Sequence, residues 1–97
     1  MGGVTLNGAD LTQAHLTEAN LRSAILERAR LNWADLRDAD LANAKLVGAD
    51  LSNASLDGAE LLMANLTDAT VTDEQLATCK SLRYATMPNG QKYEYQM

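Results

Sequence analysis

Phenylalanine is absent from this chain, and tryptophan, proline, cysteine and histidine occur once each. A core without large aromatics must be built from leucine and alanine, which dominate the 46% hydrophobic content. The lone Cys79 cannot form an intramolecular disulfide, which fits a reducing compartment, with the cytoplasm as the default. It also lacks a second cysteine or clustered histidines for metal binding. No run of eighteen apolar residues is present, so no membrane span is expected, and Met1-Gly2-Gly3 does not read as a signal peptide. Neither G-x-x-x-x-G-K-[ST] nor G-x-G-x-x-G occurs, so nucleotide binding has no support. No cofactor or metal is expected. A net charge of −5 disfavours direct nucleic-acid binding, because phosphate neutralisation needs a basic patch.

What the chain does have is a repeat, A-x-L-x-x, in fourteen unbroken units over residues 4–73. The third position is Leu6, Leu11, Leu16, Leu21, Leu26, Leu31, Leu36, Leu41, Leu46, Leu51, Leu56, Leu61 and Leu66, then Val71. The first is Val4, then Ala at every fifth residue from Ala9 to Ala69. On an α-helix a step of five advances about 500°, which spreads the leucines round the cylinder. On a straight strand it flips successive leucines to opposite faces. The chain must instead turn once per unit, returning each leucine to one interior, as in a solenoid.

The triplets Ala9-Asp10-Leu11, Ala19-Asn20-Leu21, Ala34-Asp35-Leu36, Ala39-Asp40-Leu41, Ala49-Asp50-Leu51 and Ala64-Asn65-Leu66 match A-(D/N)-L-x-x, and the chain resembles the pentapeptide-repeat proteins. The resemblance covers residues 4–73. It implies an all-β solenoid, a right-handed quadrilateral β-helix of four units and twenty residues per coil, hence about 3.5 coils. At about 4.8 Å per coil the repeat part is a rod of roughly 17 Å. Leucine fills the axis, alanine sits where the chain approaches closely, and positions two, four and five face solvent. Changes such as Asp40→Ala are therefore expected to be nearly silent. Fifth-position Gly and Asn suit a type II turn, which needs positive φ. Arg28, Trp33 and Met63 do not, so a mixture of turn types is expected.

The two ends differ. Residues 1–3 are too few to cap the first coil, whose Leu6, Leu11 and Leu16 would offer an edge to a protein partner: a second copy, giving a homodimer, or another repeat chain continuing the coil. Fraying, or cover by the tail, are the bland alternatives. Residues 74–97 form a C-terminal cap. Thr72 and Gln75 make a capping box, predicting a helix over about 73–82 that carries Cys79 as a small buried hydrophobe. A further coil-like turn follows over about 82–90, with Ala85 and Met87 in the Ala and Leu positions. Met87-Pro88-Asn89-Gly90 is a turn. The tail 91–97 is extended or disordered.

Stacking residue n on n+20 assembles columns. His15, Asp35 and Ser55 have the letters of a hydrolase triad in the wrong order, on an open face, and a surface His–Asp contact is expected instead. Asp10, Arg30 and Asp50 alternate in charge. Trp33 is the outward aromatic of the repeats and the best contact anchor, unless it packs on Gln13 and Asn53. Leu62 and Met63 are expected to lie under the cap helix or tail. The most acidic side carries Glu18, Asp35, Asp38 and Asp57 against Arg37.

Together these observations point to a non-enzymatic rigid scaffold or protein-interaction module. The alternative is a DNA-mimic regulator of a type II topoisomerase, because some pentapeptide-repeat proteins resemble duplex DNA and bind gyrase. This chain is short for that role and has no Phe at central positions. It also shows no paired helical dimerisation segment.

Overall fold

The computed structural model describes residues 3–93. A corner falls every five residues. At each, the alanine that opens a unit donates its N–H to the leucine carbonyl three residues before, as Ala9 to Leu6, Ala39 to Leu36 and Ala64 to Leu61, all at 3.0 Å. The third residue of each turn has positive φ and the second does not, which defines type II. The expected mixture of turns is therefore corrected: Arg28 (φ 59°), Trp33 (φ 62°) and Met63 (φ 60°) adopt the same left-handed conformation as Gly48 (φ 69°). Each is held there by a backbone bond to the next coil, from Arg28 N–H to Val47 C=O (2.8 Å), Trp33 to Ser52 (3.0 Å) and Met63 to Arg83 (2.8 Å). Left-handed geometry costs a non-glycine residue about 1–2 kcal/mol.

Second-position residues pair in parallel, twenty apart: Thr5 with Ile25, Ile25 with Lys45, Lys45 with Asn65, and likewise on the other three sides. Twenty residues and four corners thus make one coil. Each side contributes a single bridge residue between turns, so the sides are columns of isolated bridges rather than long strands.

The axis is a stack of leucines. Leu21 through Leu66, every fifth residue, are at most 1% exposed, with Ala24 to Ala64 beside them. Val4, Leu6, Leu11, Leu16 and Val71 are only half-buried against this core, because they lie in its end layers.

The C-terminal end is closed by two devices. Helix α1, Asp73–Ala77, begins at N-cap Thr72 with a complete capping box. It is half the predicted length, because the backbone beyond it is claimed by the coil: Gly58 N–H bonds Thr78 C=O, and Lys80 N–H bonds Ala59 C=O. Leu76 is buried. Gln75 Nε2 donates to Leu51 C=O and Ala54 C=O (2.8 and 2.9 Å); the first also accepts the corner N–H of Ala54, and the second has no backbone N–H from the next layer. Cys79 lies beyond α1, half-buried. With that extra residue the stacking offset becomes twenty-one, pairing Glu60 with Ser81 and Asn65 with Thr86. Residues 80–84 and 85–89 are two more units of the coil, with Tyr84 at φ 61° and Ala85 N–H on Leu82 C=O.

The second device is a hairpin. Gly90 N–H bonds Met87 C=O, Gly90 has φ +85°, and Met87 N–H bonds Gln91 C=O, the three-residue loop with a left-handed glycine. The chain reverses, pairing Lys92 antiparallel with Thr86 and Tyr93 N–H with Ala85 C=O. Of the tail called extended or disordered, residues 91–93 are paired in this way and residues 94–97 lie outside the described residues. The molecule measures 35 × 23 × 21 Å.

Candidate interaction surfaces

The coils and corners bond most backbone groups to one another, but the fourth-position N–H and the fifth-position C=O of each unit are left out of that backbone network. The fourth-position N–H starts the turn and points along the side rather than to a neighbouring coil. A second-position carboxylate or amide accepts it: Asp10 from Thr12, Asn20 from Arg22, Asp35 from Arg37, Asp40 from Ala42, Asp50 from Ser52 and Asn65 from Thr67, at 3.0–3.2 Å. Where the motif residue is missing, substitutes appear. Asn7 Oδ1 accepts from Glu27 N–H, and Gln75 Oε1 from Thr72 N–H. The Asp/Asn of the repeat is thus a backbone acceptor, which counting polar positions as solvent-facing missed. Asp40 in particular also holds Arg22 at 3.0 Å, so Asp40→Ala, expected above to be nearly silent, removes two contacts and is now expected to cost stability.

These contacts set the acidity of the sides. The hydroxyl and N–H of Thr12 hold Asp10 below the ordinary carboxylate range, and those of Ser52, helped by Asn32, do the same for Asp50. Arg30, which stacks between them, adds only a smaller Coulombic pull. Arg37 grips both oxygens of Asp35 (2.8 and 2.7 Å) and brings it down to about 2. His15, Asp35 and Ser55 do stack as one column, but the carboxylate faces Arg37, not His15. Exposed Glu18, Asp38 and Asp57 remain at that corner.

Trp33 is 62% exposed, so it does not pack down on Gln13 and Asn53. Met63 is 52% exposed, contrary to the expectation that the cap covers it, because α1 lies over a different side. Tyr84, one layer on, is also exposed, with Arg83 over its ring at 5.6 Å. Leu62 is half-buried.

Between α1 and the hairpin lies an open cleft of about 740 Å³, with Val71, Leu76, Met87 and Tyr93 among its lining and Asp73 and Lys92 as its charged groups. Among the described residues there is no cluster of three or more His, Cys, Asp or Glu to hold a metal, and no helix is long and apolar enough to cross a membrane.

Among the described residues, the first coil has a neighbouring layer on one side only. In the middle coils each second-position residue directs both its N–H and its C=O toward the preceding coil, as Ile25 N–H to Val4 C=O and Leu6 N–H to Ile25 C=O. In the first coil the equivalent N–H and C=O groups of Thr5, Asp10, His15 and Asn20 have no backbone partner among the described residues. They surround the half-buried Val4, Leu6, Leu11 and Leu16. The candidate contact residues therefore divide: the three leucines share one end, and Trp33 stands apart on a corner of the second coil.

A model of pentapeptide repeats matches eight copies, over residues 1–38 and 34–73. Among solved structures, the chain is similar to a pentapeptide-repeat protein from the Arabidopsis thaliana thylakoid lumen, with 29% identity and a TM-score of 0.59, covering 88% of this chain and 62% of that one. It is 37% identical to HetL, a pentapeptide-repeat protein involved in heterocyst differentiation regulation in the cyanobacterium Nostoc sp. strain PCC 7120, with a TM-score of 0.59, covering 92% of this chain and 43% of HetL. A third, from Nostoc PCC 7120, is 29% identical with a TM-score of 0.55, covering 91% of this chain and 77% of that one. The chain thus spans less than two thirds of the length of the first two. No curated protein matched the sequence. The repeat, its stacking and these matches agree: the chain belongs to the pentapeptide-repeat family.

Proposed function

We propose that the chain is a non-enzymatic, rigid protein-interaction module, a right-handed four-sided β-helix that docks a protein partner on the open edge of its first coil. The observation that carries this reading is the asymmetry of the two ends. One is closed by α1, Gln75 and the hairpin. The other presents, among the described residues, backbone groups without a backbone partner round the half-buried Leu6, Leu11 and Leu16. Such an edge templates strand addition, where main-chain bonds give affinity and the apolar floor adds to it. HetL, to which the chain is similar, is involved in heterocyst differentiation regulation, a role in keeping with an interaction module. The handedness rests on the family, and a cytoplasmic setting is proposed with it.

The test compares partner capture by the parent, Leu11→Lys and Trp33→Ala. Loss with Leu11→Lys alone places the contact on the first coil. Equal capture by parent and Leu11→Lys rejects it.

A second reading, a DNA mimic acting on a topoisomerase, is favoured only by the exposed acids Glu18, Asp38 and Asp57 along one corner. Arg37, paired with Asp35, lies at that same corner and weakens its field, and the ion pairs Arg22–Asp40 and Lys80–Glu60 weaken it elsewhere. It requires salt-sensitive inhibition of gyrase supercoiling that Asp38→Lys reduces.

A further inference from the structure

We infer that the partner of the open first coil is a second copy of this chain, joined head to head about a twofold axis that runs through the corner after Leu11 and the corner after Leu21. This deepens the docking reading above and rests on it.

The geometry of the edge selects the occupant. Thr5, Asp10, His15 and Asn20 each send N–H and C=O the same way, away from the molecule. Two residues that each present both groups are what an antiparallel hydrogen-bonded pair exchanges. A twofold axis perpendicular to the solenoid makes facing coils run antiparallel, so a copy of the same edge is complementary to it. Stacking the other way is blocked. At the C-terminal end, α1 occupies one side and the reversed segment 91–93 another, so head-to-tail growth cannot continue and association closes at two.

Charge selects the axis. Among the four edge residues, Asp10 and His15 are the titratable ones. An axis through the sides that carry Asp10 and Asn20 sets Asp10 against Asp10 of the copy. An axis through the other two sides, or through the other pair of corners, faces Asp10 with neutral Asn20 or Thr5. The axis proposed here sets Asp10 of each chain beside His15 of the other, twice, and Thr5 beside Asn20, twice. Asp10, held ionised by Thr12, is then matched by an imidazole. The four pairs supply two bonds each, about eight in all. The end is no larger than the 23 × 21 Å cross-section of the rod, so the interface falls at or below the lower end of the standard size range. An interface of that size suits a reversible dimer.

Sedimentation across a wide concentration series tests this. The parent shows a monomer–dimer equilibrium that stops at the dimer. His15→Asp weakens it by at least about tenfold, through two new carboxylate oppositions. Its fold is kept, because aspartate is the motif residue at that position and can accept the Thr17 N–H. Circular dichroism with urea confirms folding of the variant. His15→Lys associates at least as tightly as the parent, and Ser55→Asp, on the same side two coils away, leaves association unchanged. A chain monomeric throughout, or a dimer indifferent to His15→Asp, overturns the inference. If the chain is monomeric but Leu11→Lys still abolishes capture of another protein, the docking reading survives and self-association is rejected.

Discussion

The leucine stack makes a graded prediction about stability. Leu41 is 1% exposed and lies between Leu21 and Leu61, each at most 1% exposed, one layer to either side. Truncating it to alanine leaves a cavity with packed walls above and below, so the cost should fall in the range of about 3–5 kcal/mol seen for buried leucines that cannot collapse. Leu11 has Leu31 on one side and the open end on the other, and is half-buried. Half the packing is lost, so Leu11→Ala should cost about 1.5–2.5 kcal/mol. Leu66 resembles Leu41 despite its place near the other end, because Met87 occupies the next layer and Leu66 is fully buried.

A domain of this size has a total stability on the order of 5–15 kcal/mol, so all three variants can be measured by urea unfolding at low protein concentration. With an m-value of about 1.5 kcal/mol/M, a difference of about 2 kcal/mol between Leu41→Ala and Leu11→Ala separates their midpoints by more than about 1 M. Leu66→Ala should fall with Leu41→Ala. Equal midpoints for Leu11→Ala and Leu41→Ala would refute the open end, since a first coil already covered within the chain would make every leucine equivalent. Dimerisation adds a further signature: the penalty of Leu11→Ala should rise with protein concentration, as linkage requires.

Three further predictions address the sides and corners. Asp50→Ala removes the acceptor of Ser52 N–H (3.0 Å), Ser52 Oγ (2.6 Å) and Asn32 Nδ2 (3.0 Å) and should cost about 1–2 kcal/mol in thermal unfolding, whereas Asp50→Asn should recover much of that loss. Asp10, Asp35 and Asp50 all have carboxyls lowered in the folded state, chiefly by side-chain hydrogen bonds. The stability they contribute is full above the unfolded value near 3.8, and is lost as pH falls through the folded values, which for Asp35 extends to about 2; Asp35→Asn should flatten the acid limb of a pH titration of the unfolding midpoint between about pH 4 and 2. Gly58→Ala combines a φ of +72° with a Cβ driven into the Asp38 carboxylate and should lower stability by about 1–2 kcal/mol, while Gly8→Ala, where nothing lies within 4 Å, should show only the conformational part.

The parts of the fold legible in the sequence are those set by burial or by one local contact. A period of five with leucine in phase admits only a chain that turns once per unit, and the buried column from Leu21 to Leu66 follows from it. Thr72 and Gln75 bond across a single helical turn, and Pro88 and Gly90 meet the demands of one β-turn, so both features were readable from neighbouring residues. What escaped depends on the neighbouring coil. Arg28, Trp33 and Met63 look wrong for a left-handed corner by their own preferences, yet the layer above fixes them by hydrogen bonds that propensity does not contain. The shortness of α1 and the shift from twenty to twenty-one have one cause, the demand of Ala59 and Glu60 for partners from residues 80 and 81. Asp40 was misplaced for a related reason: its hydrophilicity suggested solvent, while its work is to accept the turn N–H of Ala42. In a solenoid the layers are both fold and environment, so a coil is well specified where it has a neighbour on each side. Among the described residues the first coil has one such neighbour, and it is on that difference between the two ends that the docking proposed above rests.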